Sequence, residues 1–216
     1  MFSTATSLKK TQTAAEEFCN SVSHGIGFLL SVAGLVFIIF FASGNVWQIV
    51  SGSVYGASMA LLYSVSMLYH GCARERLKRI LRIADHICIA LFIAGTYTPF
   101  TLVTLHGPWG WSLFGIIWTL ALATLVFSLF FTGKSDLLAA SIYLVMGWTV
   151  LIAAIPLFQS LALGGSLLLL AGGVIYSVGT FFFLQDHRPF YHFIWHIFVL
   201  GGSICHYWAI FLYVIL

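Results

Sequence analysis

Charge is what this chain has least of. Only 7% of its 216 residues are Asp, Glu, Lys or Arg, whereas a soluble domain carries about a quarter. With 61% hydrophobic side chains, the chain cannot cover a water-facing surface, and a soluble globular protein is excluded. A mean hydropathy of +1.03 indicates a polytopic, all-α membrane protein. Cysteine is also scarce. Cys19, Cys72, Cys88 and Cys205 are scattered, with no CxxC pair and no disulfide framework to infer. A cleavable signal peptide is not visible either, because the apolar run from Phe18 lacks a small-residue cleavage site and is long enough to span. Nothing points to a nucleic-acid partner. The formal charge of +3 acquires meaning only through its placement.

A bilayer core about 30 Å thick takes about 20 mostly apolar residues per helix. Seven stretches fit: Phe18–Ala42, Val46–His70, Ala84–Leu105, Trp109–Phe131, Leu137–Leu157, Leu163–Leu184 and Pro189–Tyr213. A polar tail, 1–17, holds Lys9, Lys10, Glu16 and Glu17, and 18–216 reads as one transmembrane domain. The breaks carry turn chemistry, such as Ser43-Gly44-Asn45 and His106-Gly107-Pro108. The second break, Gly71 to Ile83, is longer and holds Arg74, Glu75, Arg76, Lys78, Arg79 and Arg82. Pro99 is expected to kink the third stretch, with Tyr97 and Thr98 satisfying the backbone of that kink. With seven spans, every Lys and Arg falls on the side of the N-terminus, and the opposite breaks have none. The positive-inside rule then puts the N-terminus in the cytoplasm and Leu216 outside.

On that topology the ionisable groups converge. His192 and His196 are four apart, so in a helix beginning near Pro189 they share one face. Two imidazoles at that spacing can grip one metal ion. This is not the HExxH motif, since no Glu lies between them. The second stretch ends with Ser66 and His70, also four apart, and the third opens with Asp85-His86. His70, Asp85, His192 and His196 thus lie within about two turns of the same boundary. Ionisable groups at membrane depth are costly unless they face the bundle interior and find partners. Three neutral imidazoles around one Zn²⁺ resolve that cost and leave a fourth position open. Asp85 could serve as a base for water there, and Ser66 could orient it. Glu17, Asn20 and His24 recur on one face of the first helix at the same depth and can support the ligands. His206 lies about 15 Å beyond His196 at 1.5 Å per residue, too far for the same ion. Taken singly, His70 can equally be an interfacial histidine, and Asp85 can pair with Arg82 or cap a helix.

Ser66-x-x-x-His70, Asp85 after a basic break, and His192-x-x-x-His196 in the last helix together resemble the signature of the progestin and adipoQ receptor/hemolysin III family. Glu17-x-x-Asn20-x-x-x-His24-x-x-Gly27 looks like its first motif, and the run from His192 to His206-Tyr207 is similar to its last. The short tail and tight breaks look like the bacterial hemolysin III branch. The resemblance implies seven helices and a cytoplasmic-side zinc held by His70, His192 and His196, with Asp85 and Ser66 beside it. The wider superfamily includes alkaline ceramidases, which implies hydrolysis of a lipid amide. The hemolysin name implies cytolysis, although the sequence has no amphipathic pore-forming segment and no export signal.

The expectation is therefore a zinc-dependent hydrolase of a lipid amide or ester, in a bacterial inner membrane, with a membrane lipid as substrate. The competing class is a non-enzymatic sensor or regulator of membrane lipid with a structural zinc. A cytolysin or channel is a third.

Overall fold

The computed structural model describes residues 12–42 and 44–216; Lys9, Lys10 and Ser43, read above in the tail and the first break, lie outside them. Among the described residues there is no strand. Seven helices are long and apolar enough to cross a membrane: α1 (Ala14–Phe41), α2 (Val46–Gly71), α3 (Glu75–Thr104), α4 (Pro108–Phe131), α5 (Asp136–Ser160), α6 (Leu163–Leu184) and α7 (Tyr191–Ile215). Large apolar side chains such as Phe18, Leu29, Phe40 and Phe130 point outward, which suits a lipid surround. This is an integral membrane protein.

Helix α1 opens at Ala14, not Phe18, because Thr13 and Glu16 build a capping box. Thr13 Oγ1 accepts from the Glu16 N–H at 3.3 Å, and Glu16 Oε2 accepts from the Thr13 N–H at 2.8 Å. Glu16 and Glu17 therefore belong to the helix, and the tail drawn as 1–17 ends short of them. Helix α3 departs further from expectation. It begins at Glu75, so the long charged break shrinks to residues 72–74. Glu, Arg, Lys and Leu are all good helix formers, and hydropathy had no means of counting the charged turns as helix.

Past Pro99 the backbone of α3 widens into a π-helical turn, Phe100–Thr104, as expected where a proline withholds its N–H. Tyr97 does not serve that turn. Its hydroxyl lies 2.9 Å from the Met146 carbonyl and 2.7 Å from that of Gly147, and accepts the Val150 N–H at 2.8 Å. It thereby satisfies a 3₁₀ interruption in α5, Thr149–Ala153. Thr98 bonds locally, to the Ala94 carbonyl at 2.9 Å. Because α5 breaks early, Pro156 falls in the first turn of its final α-helical segment, Ala154–Ser160, where the missing N–H is tolerated. The helix runs on to Ser160, past the end of the fifth stretch at Leu157. Helix α7 starts at Tyr191 rather than Pro189, after Phe190 in the left-handed region at φ 60°.

α1 packs on α2 and α7, α2 on α3, and α6 on α7, while α5 touches α3 and α6. Close approach of α1 and α2 depends on glycine: a methyl on Gly56 would stand 2.6 Å from Leu35 Cδ1. Alternating crossings bring the starts of α1, α3, α5 and α7 to one end of the bundle, with the ends of α2, α4 and α6. Every described Lys and Arg lies at that end. The opposite end is closed by Trp47 against His106 and Trp111, and by Gln48 Nε2 donating to the Val214 and Ile215 carbonyls at 3.0 Å each.

Candidate metal centre

At the basic end, the last turn of α2 and the first two turns of α7 bring three histidines together. Ring centroids are 4.9 Å apart for His70–His196 and for His192–His196, and 5.1 Å for His70–His192. One nitrogen from each ring falls within 4.8 Å of the others. The Asp85 carboxylate stands outside this grouping.

The hydrogen bonds decide which nitrogen is offered. His70 Nδ1 lies 2.7 Å from Glu17 Oε2, so the proton is on Nδ1 and the ring donates to the carboxylate. Its Nε2 is then a bare lone pair, buried and without a hydrogen-bond partner. For His196 the logic takes one more step. Ser23 Oγ donates to the Asn20 carbonyl at 2.8 Å, which leaves that oxygen as an acceptor toward His196 Nδ1 at 3.1 Å. The Asn20 carbonyl lies 3.3 Å from the same nitrogen. His196 therefore carries its proton on Nδ1 as well and presents Nε2. A buried polar atom without a partner is costly, and two neutral rings presenting Nε2 beside a third suit a divalent ion. The three histidines could hold a metal.

The residues expected to support them are arranged less uniformly. Glu17 reaches His70 directly and also takes Lys78 Nζ at 2.7 Å. Asn20 acts through its backbone carbonyl, while its side-chain Nδ2 donates to Gln12 Oε1 at 2.8 Å. The His24 ring makes no hydrogen bond among the described residues; it stacks on His196 with ring centroids 3.5 Å apart and planes 7° from parallel. Sequence reasoning missed Ser23, Lys78 and Glu16, whose Oε1 accepts the Phe190 N–H at 2.7 Å. Ser23 carried a usable signal, since it follows Asn20 by three residues on the same face of α1.

Asp85 lies ten residues inside α3 and so does not cap it, and among the described residues it forms no ion pair with Arg82. It lines a cavity of about 540 Å³ together with Ser66, His192 and His196. The charged lining residues, among them Glu17, Lys78, Arg82, Asp136 and Asp186, stay at the basic end; deeper in the bundle the walls are mainly apolar. His206 is on that deeper wall, its Nε2–H donating to the Leu169 carbonyl at 3.1 Å. His106 and His187 are exposed loop residues.

Seven spanning helices around an internal cavity, with a grouped histidine trio at one end, define a polytopic membrane protein with a candidate metal site. The chain belongs to the hemolysin III family: the family description "Haemolysin-III related" matches residues 12–207. It is 45% identical to hemolysin-3 of Bacillus cereus over 209 residues, covering 96% of this chain and 95% of that one. It is 48% identical to a hemolysin-3 homolog of Bacillus subtilis (strain 168) over 203 residues, 93% and 95% of the two chains. A more distant relative, the human monocyte to macrophage differentiation factor, is 26% identical over 207 residues, 93% of this chain and 85% of its own.

Proposed function

We propose that this protein is a zinc-dependent hydrolase of a lipid amide or ester. The observation that carries this reading is one juxtaposition. Two of the three grouped imidazoles, His192 and His196, line a cavity with a carboxylate outside the grouping and a serine, where its walls change from charged to apolar. A site that only stapled α2 to α7 would need neither the cavity nor Asp85 beside it. A channel would need polar groups along its whole length, and here the charges sit at one end.

His70, His192 and His196 would hold the ion. The chemistry zinc supplies when bound is Lewis acidity, which polarises a carbonyl and makes water nucleophilic near neutral pH. Asp85 takes the proton from the attacking water on a carboxylate oxygen and returns it to the leaving nitrogen or oxygen. Ser66, which lines the same cavity as Asp85, orients the water for that transfer. The apolar depth of the cavity holds the acyl chain and keeps bulk water out. The test is turnover by the purified, zinc-loaded protein of a panel of lipid amides and esters, alongside lipid profiles of cells with and without it. Product release abolished by a chelator and restored by zinc is expected. If no substrate in the panel turns over, the sensor reading, with zinc joining α2 to α7, takes its place.

The same reading orients the protein with its basic end, and therefore the zinc, toward the cytoplasm of a bacterial inner membrane. A reporter fused after Leu216 is expected to read as external, and one placed in residues 72–74 as cytoplasmic. Identical signals from both would remove the odd number of crossings on which the orientation rests.

A further inference from the structure

We propose that Glu16, Glu17, Asn20 and Ser23, on the opening turns of α1, surround the metal ligands and set how tightly the ion is held. The proposal rests on the metal reading above but not on hydrolysis.

None of the grouped histidines lies on α1, yet α1 holds both helices that carry them. Glu17 fixes the protonated edge of His70 on α2. Ser23 and the Asn20 carbonyl fix that of His196 on α7. Glu16 reaches the start of α7 itself. Its Oε2 is occupied by the Thr13 N–H and hydroxyl, both at 2.8 Å, which leaves Oε1 to receive the Phe190 N–H. That N–H lies at the entry to the helix bearing His192 and His196, where backbone donors have no partner within the helix.

The polar residues follow one helical stripe. Glu16, Asn20, Ser23 and His24 are buried, while Phe18, Val22 and Ile26 on the same turns face outward. A helix that merely spanned would fill such a stripe with small apolar residues, because buried carboxylates and amides at membrane depth are costly. Glu17 could be explained as a staple to Lys78 of α3. A staple alone, however, does not require the second carboxylate oxygen to take the proton side of a histidine. Lys78 balances the carboxylate charge. Carboxylates placed this way orient a ligand ring and raise its basicity, and losing one typically costs about 10- to 100-fold in metal affinity.

The experiment uses full-length protein in mild detergent, loaded with zinc and challenged with excess chelator while zinc release is followed by an indicator dye. Glu17→Gln keeps the size and an acceptor oxygen but removes the charge, and should lower zinc affinity about 10- to 100-fold. Ser23→Ala should shift it in the same direction by less, since the Asn20 carbonyl still receives the His196 proton. Ser21→Ala is the control, because its hydroxyl joins α1 to the Met67 carbonyl of α2 at 3.0 Å without touching a ligand. It should release zinc as the wild type does. Elution profile and thermal melting of the metal-free proteins establish that each variant is folded. A folded Glu17→Gln that holds zinc like the wild type overturns the proposal, as does a Ser21→Ala loss equal to that of Glu17→Gln. Wild-type protein that binds no zinc fails the metal reading instead.

Discussion

Purified in mild detergent, the protein should carry about one zinc per chain, and His192→Ala or His196→Ala should lose it. The expected loss is near total, because the grouping contains three nitrogens and each variant leaves two. Two ligands from different helices cannot close around an ion that competes with water. The buried Nε2 of His70, with no hydrogen-bond partner among the described residues, would then be left without the ion that compensates for its burial. Elemental analysis is the measurement. Wild-type protein without any transition metal would remove the basis of the site. Retention of zinc by both alanine variants would move the ion elsewhere.

Asp85→Asn should leave the zinc in place and lower lipid turnover by about 10²- to 10⁴-fold, the usual contribution of a general base. The substitution preserves size and hydrogen-bonding reach but removes the carboxylate's affinity for a proton. Asp85 lines the cavity beside His192 and His196 yet falls outside the nitrogens' grouping. Its effect should therefore appear in the reaction and not in metal content. Measuring both on the same preparation separates the outcomes. Loss of zinc together with activity would make Asp85 a ligand and close the fourth position. Unchanged zinc with full turnover would assign the proton transfer to another group.

Much of this protein is written locally. Seven apolar stretches, a one-sided distribution of Lys and Arg, and a four-residue histidine repeat can each be read within a short window. Together they placed His70, Asp85, His192 and His196 at one end of a seven-helix bundle. Helix starts were less legible where charge is dense. The turns from Glu75 to Arg82 read as a break because hydropathy measures transfer into lipid, while helix formation there depends on propensity. Tyr97 was assigned to its own kink because its partners, the Met146 and Gly147 carbonyls, lie on another helix.

What only the tertiary structure decided is how the helices are rotated about their axes. In a soluble bundle an apolar stripe announces the buried face, but lipid is as apolar as a protein core, so a spanning helix carries little such signal. The pairing of Glu17 with His70, the reach of Glu16 to Phe190 and the use of Ser23 with the Asn20 carbonyl against His196 all depend on that rotation. So does the depth of the cavity behind Asp85. The sequence by itself determined which groups share a depth in the membrane. Packing determined which of them touch, because contacts between residues far apart in the chain are set by the helices' mutual orientation.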